Sequence, residues 1–230
     1  MDFSLDREST FSFTCRVCGR CCTNKLILAG PHEVLGMSRV LGVSTTEFLA
    51  RHTENGGTTL RSEADGRCVF VTASGCRVHP WRPLVCRLYP LGRMTDALGK
   101  ERFALSPREH ECETEVGYDG TVASFLESQG VGPYLDWSRR YGELYRRMVG
   151  LLERLDVVGE VDAASGNDGT ATQAPLSSWQ DIDGSLAEYC VARGVAAPLE
   201  IEKAITLHIQ AMEEWLDDLE FRIGMVRNDP

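Results

Sequence analysis

The sequence predicts an α+β fold: a small, irregular, cysteine-rich domain over residues 1–130, then an acidic helical region over 131–230. Three observations predict it. Eight of the nine cysteines fall in the first 115 residues, where short strand-like and helical runs alternate with loops. Beyond residue 131 the apolar residues recur every three or four positions, the period of a helix face. The charge is also split. Residues 1–150 carry 19 Lys/Arg against 18 Asp/Glu, whereas 151–230 carry 5 against 16, so the two parts face solvent differently.

The N-terminal elements follow from local patterns. "KLILA" (25–29), "RCVFV" (67–71) and "RFAL" (102–105) read as short strands, and "HEVLGMSRVLG" (32–42) reads as a helix. Ser44 and Glu47 have capping-box spacing and predict a helix over 45–52. "TENGGTT" (53–59) is a turn. Residues 75–100 hold Pro80, Pro83 and Pro90 and three glycines, which exclude regular structure throughout.

In the second region Pro133 suits the first turn of a helix. Trp137, Tyr141, Leu144, Met148, Leu151 and Leu155 then form one apolar seam. A flexible linker is expected near 157–177, around the Gly/Ala/Ser-rich stretch 159–175. A further helix covers 178–193 and stops at Gly194. The last covers 198–225, with a seam of Ile205, Ile209, Met212, Leu216, Leu219 and Ile223. Helix–helix packing explains both seams; the alternative is that the last helix docks on an unknown protein partner.

Composition narrows the functional classes. At 43% apolar residues the chain can bury a core without disulfides. The acidic half argues against a nucleic-acid partner, which needs a positive face. No stretch approaches the roughly 20 apolar residues that span a bilayer, so no membrane partner is expected. "MDFSLDREST" lacks the basic start and apolar core of a secretory signal. The expected location is therefore cytoplasmic, where thiols stay reduced or bind metal.

"CRVCGRCC" (15–22) sets four thiols in eight positions. Each C-x-x-C step turns the chain so that successive sulfurs aim at one point, as in iron–sulfur and zinc sites. Neighbouring side chains on an extended backbone point apart. One of Cys21 and Cys22 is thus expected to join Cys15 and Cys18, and the other to face a different centre, a larger cluster or the later cysteines. The full set is Cys15, Cys18, Cys21, Cys22, Cys68, Cys76, Cys86 and Cys112. Cys190 lies far downstream, beside Leu186 on a helix, and reads as a packed apolar group. Thiolate ligands suit zinc and iron–sulfur alike.

From Gly66 to Thr95 there is no carboxylate, while Arg67, Arg77, Arg82, Arg87, Arg93 and His79 are present. Guanidinium groups near thiolates offset their charge. The alternative is an anion site for a carboxylate or phosphate.

The blocks "FTCRVCGRCC" (13–22), "GRCVF" (66–70), "GCRVH" (75–79), "RPLVCRLYP" (82–90) and "CETEVG" (112–117) resemble the CxxCxxCC, or YkgJ-like, cysteine-cluster family over about residues 11–130. That resemblance implies a zinc- or iron-chelating domain. Flagellin lysine N-methylases carry a similar domain, but this chain lacks a glycine-rich strand–turn–helix for S-adenosylmethionine. Where the family continues with Pro-Gly after its last cysteine, this chain has Glu113-Thr114. The expectation is a metal-binding protein holding an iron–sulfur cluster, of the 4Fe-4S type, on Cys15, Cys18, Cys21, Cys22, Cys68, Cys76 and Cys86, with Cys112 as the eighth. Its role is redox or cluster-assisted modification; the alternative is a zinc-bound structural or interaction module.

Overall fold

The structure is a computed structural model that describes residues 2–16, 18–96, 98–106, 115–164 and 179–226. The chain divides into two compact units, Met1–Asp136 and Trp137–Pro230.

The first unit combines α and β elements in short pieces. Among the described residues its strands form four two-stranded antiparallel ladders. β1 (Thr10–Ser12) pairs with β8 (Gly117–Thr121), β2 (Thr53–Glu54) with β3 (Thr59–Leu60), β4 (Val71–Thr72) with β5 (Gly75–Cys76), and β6 (Leu91–Thr95) with β7 (Glu101–Leu105). Helix α1 is Pro31–Leu41, α2 is Thr45–His52, α3 is Leu84–Leu88 and α4 is Val122–Ser128.

Among the described residues, two apolar clusters hold this unit. Phe11, Phe13, Leu91, Phe103 and Phe125 build one around β1, β6, β7 and α4. Val34, Met37, Phe48, Phe70 and Val78 build the other under α1 and α2, where Phe48 and Phe70 stack with ring centroids 5.7 Å apart. Cys68, Cys76 and Cys86 pack against the second cluster.

Several local expectations are modified. Segment 25–29 is extended, with Ile27 and Ala29 buried and Leu26 and Leu28 exposed, but it makes only an isolated bridge, Leu28 to Thr59. Segment 67–71 is not one strand. Arg67 and Cys68 form single bridges to Thr23 and Ser62, and the chain turns before β4 begins at Val71. The apolar alternation is present, but each run has too short a partner for a full ladder. At α2, Ser44 Oγ accepts the Glu47 N–H at 3.1 Å, as expected of an N-cap. The Glu47 carboxylate pairs with Arg51 at 2.6 Å instead of closing the box.

The second unit is helical. Helix α5 (Val131–Ala164) starts before the unit boundary and runs past residue 157, where a linker was expected. The rest of that linker, 165–177, lies outside the described residues. The helix expected over 178–193 is interrupted at Asp181: Trp179 and Gln180 are helical, and helix α6 (Ile182–Arg193) then starts afresh, capped by Asp181, which accepts the Gly184 N–H at 3.0 Å. It ends at Gly194, whose φ of 64° is left-handed. Helix α7 (Ile201–Val226) buries Ile205, Ile209, Met212, Leu216 and Ile223 within the unit. Tyr141 of the α5 seam is buried, and its hydroxyl is 2.9 Å from His208 Nδ1 on α7. Cys190 is buried on α6 with Ile182 and Leu186, as a small apolar group. Among the described residues no helix is long and apolar enough to cross a membrane.

Candidate metal centre

Four chain segments of the first unit bring cysteines to one place. The loop after β1 carries Cys15 and Cys18. Gly19, with φ of 77°, then turns the chain into a 3₁₀ turn, Arg20–Cys22, which carries Cys21 and Cys22. A Cβ at Gly19 would lie 2.8 Å from Val71 Cγ1, so this turn needs glycine twice over: for its φ and for its space. Backbone bonds from Cys68 N to Cys22 O (2.9 Å) and from Asn24 N to Gly66 O (2.8 Å) fasten the turn to the segment bearing Cys68. Cys76 lies on β5 opposite Val71. Cys86 lies on α3, whose first turn is held where Leu84 N–H donates to Glu33 Oε1 at 2.5 Å.

Cys15, Cys18, Cys21, Cys22, Cys68, Cys76 and Cys86 all line one cavity of about 280 Å³. Phe13, Ile27, Phe70 and Tyr89 give it apolar walls, and Arg16, Lys25 and Arg82 are the cations that line it. Cys15 and Cys18 are exposed and the other five partly buried. Among the described residues no cysteine forms a disulfide. Nor do any three His, Cys, Asp or Glu side chains there already stand gathered to hold an ion. Cys112 lies outside the described residues.

The adjacent pair departs from the extended-backbone expectation. Cys21 and Cys22 line the same cavity, with their sulfurs 4.0 Å apart. The reason is the 3₁₀ turn, which swings consecutive side chains through less than the half-turn of an extended chain. Two sulfurs bound tetrahedrally at about 2.3 Å from one ion lie about 3.8 Å apart, so this spacing fits a shared ion.

The thiols influence one another. The contact with Cys22 lowers the Cys21 thiol to about 7. Cys22 is pushed up by that same contact, then by burial and the neighbouring sulfurs. Burial, followed by the charge of Cys68, pushes Cys86 up, and burial also raises Cys68 and Cys76. Such a set ionises together only with compensating positive charge.

The basic residues divide into groups. Arg67 pairs with Asp65 at 2.6 Å and Arg93 with Glu101 at 2.6 Å. Arg82 and Arg87, near Cys86, make no ion pair among the described residues. Burial, then the charges of Arg82 and Arg87, lowers the pKa of His79. Glu33, which orients α3, was missed from sequence. Gly30-Pro31-His32-Glu33 was its signal: a proline-led helix start with a glutamate in the first turn.

Residues 14–113 match the model of the CxxCxxCC family, described as a putative zinc- or iron-chelating domain. The match spans less than half of the chain and supports metal chelation by the cysteine cluster. No curated protein and no solved structure matches.

Proposed function

We propose that this protein is a cytoplasmic thiolate metalloprotein whose cysteine cavity holds an iron–sulfur cluster in a redox or cluster-assisted modification role. One observation carries the reading: seven cysteines from four chain segments line a single cavity. A structural zinc ion and a 4Fe-4S cluster each take four thiolates, so seven sulfurs are enough for either, with ligands left over or for a second centre. The ligands are drawn from Cys15, Cys18, Cys21, Cys22, Cys68, Cys76 and Cys86, with Cys112 as an eighth candidate. Ion binding draws in the exposed loop that carries Cys15 and Cys18. The cluster, when bound, supplies electron transfer. The residues of the chain position the sulfurs, exclude water through Phe13, Phe70 and Tyr89, and offset thiolate charge through Lys25 and Arg82.

The second reading is a zinc-bound structural or interaction module, favoured by the 4.0 Å spacing of Cys21 and Cys22. Anaerobic purification with iron, zinc and acid-labile sulfide analysis separates the two. Iron and sulfide in comparable amounts, with broad absorption near about 400 nm, are expected. Stoichiometric zinc without sulfide selects the second reading, and a folded sample holding neither metal overturns both.

A further inference from the structure

An open cleft of about 570 Å³ lies beside the cysteine cavity, lined by Phe13, Thr14, Cys15, His79, Arg82, Arg87, Ser128, Gln129 and Gly130. Phe13, Cys15, His79 and Arg82 line both spaces. We propose that this cleft binds a small molecule by an oxyanion group, a carboxylate or phosphate, held by Arg82 and Arg87. The inference goes beyond the metal reading and does not require it.

The argument starts from charge. No carboxylate lines the cleft. Arg87 is buried and clamped by neutral groups only: Nε donates to Arg82 O (3.1 Å), Nη1 to Gln129 O (2.7 Å), and Nη2 to Pro80 O (2.6 Å) and Tyr134 Oη (2.7 Å). Four of its five N–H groups are thereby committed, so its position is fixed; no carboxylate lies within ion-pair distance among the described residues, and Glu33 acts on it only from farther away. Arg82 is also held by neutral oxygens, with Nη1 donating to His79 O (2.9 Å) and Nη2 to Gln129 Oε1 (2.6 Å).

The donors left over point the same way. Arg82 Nε and His79 Nε2 are buried without a hydrogen-bond partner among the described residues. A buried donor left unsatisfied costs about 1–3 kcal/mol. The Nε–Nη2 edge of a guanidinium is the one that takes a carboxylate or phosphate side-on. At Arg82 that edge holds only the amide oxygen of Gln129, which an oxyanion displaces.

Size refines the ligand class. The cleft is far larger than the ~30 Å³ share of one water. The oxyanion is then the handle of a larger molecule, whose remainder lies toward Cys15 and the shared wall. The competing account is that both arginines only offset thiolate charge.

Calorimetric titration of the full chain, purified without oxygen and assayed for metal, tests this. The probes are inorganic phosphate and, separately, succinate. At least one should bind saturably and one-to-one at low ionic strength, with Kd below about 1 mM. Binding of phosphate alone identifies a phosphoryl handle, and of succinate alone a carboxylate one; either supports the site. Arg82→Gln should weaken binding by about tenfold or more, as loss of a charge-assisted fork does. Gln129→Glu, which sets a competing carboxylate on Arg82, should do the same without shortening a side chain. Failure of both probes, or wild-type affinity in both variants, overturns the proposal. Altered metal content in the variants without anion binding in the parent also overturns it and leaves charge compensation. Anion binding by protein lacking iron and zinc keeps the cleft and removes the metal reading.

Discussion

Glu33→Gln probes the joint that aims Cys86. Glu33 is 4% exposed. Its carboxyl spans two helix starts, accepting Leu84 N–H on α3 at 2.5 Å and Gly30 N–H before α1 at 2.7 Å. Burial lifts its pKa from 4.5 to about 7, against the pull of those amides and of Arg87. The folded state therefore holds this proton more tightly than the unfolded chain does. The favourable contribution is complete below the unfolded value and is lost as pH rises through about 7. The gap between the two values corresponds to about 3 kcal/mol, most of which disappears between about pH 5 and about pH 8. Glutamine does not titrate, so the wild type should lose about that much stability relative to the variant across the window. Urea unfolding followed by circular dichroism, without oxygen and at both pH values, measures the difference. Proton release from the cysteines on metal binding is common to both proteins and cancels. A wild-type-minus-variant difference that stays flat with pH, or grows in favour of the wild type, would refute the buried carboxyl joint.

Two further substitutions test packing and ligation. Gly36 lies in α1 directly against Trp81, and a Cβ there would fall on the indole ring, 2.9 Å from Cγ and closer still to Cδ2 and Cε3. Gly36→Ala gains about 1 kcal/mol of helix propensity but overpacks at about 1–3 kcal/mol. Trp81 also meets Tyr134, with centroids 5.8 Å apart, so its ring has little room to yield; a lower Tm is expected, and a raised one shows that Trp81 moves freely. Cys22→Ser replaces one sulfur of the 4.0 Å pair with a poor ligand for soft metals. Metal per chain should fall by at least about half, and unchanged content in elemental analysis removes Cys22 from the ligand set.

Much of the helical part was legible because long apolar periods leave little choice. The Ile205–Ile223 seam and the Gly194 stop both appear in α7 and α6. The N-terminal unit was legible only in its stronger signals: α1, Ser44 as a cap, and β7. The β6–β7 hairpin was missed on one side because "LGRMT" has no clean alternation. Strand readings at 25–29 and 67–71 caught apolar runs whose backbone partners come from distant loops, which local pattern does not reveal. The cysteines were found by count and spacing alone. Their shared cavity was not, since it depends on Gly19 turning the chain and on Cys22 and Cys68 joining across 46 positions of sequence. The cleft beside it was hidden for the same reason. Gln129 and Tyr134 carry no motif, yet they decide where Arg82 and Arg87 stand.

The distribution of apolar residues also says what an ion has to do here. Two-residue ladders are too short to be stable alone, and β4–β5, which carries Cys76, is one of them. Domains with no core of their own fold only around their metal. This unit differs, since it has a core of its own: Phe11, Phe103 and Phe125 are buried in one cluster, and Phe48, Phe70 and Met37 in the other, against which Cys68, Cys76 and Cys86 pack. The core therefore fixes Cys68, Cys76 and Cys86 from behind, through Phe70, Val78 and the Glu33 joint. Cys15 and Cys18 have no such backing and are exposed on their loop. The same loop supplies Thr14 and Cys15 to the cleft of Arg82 and Arg87.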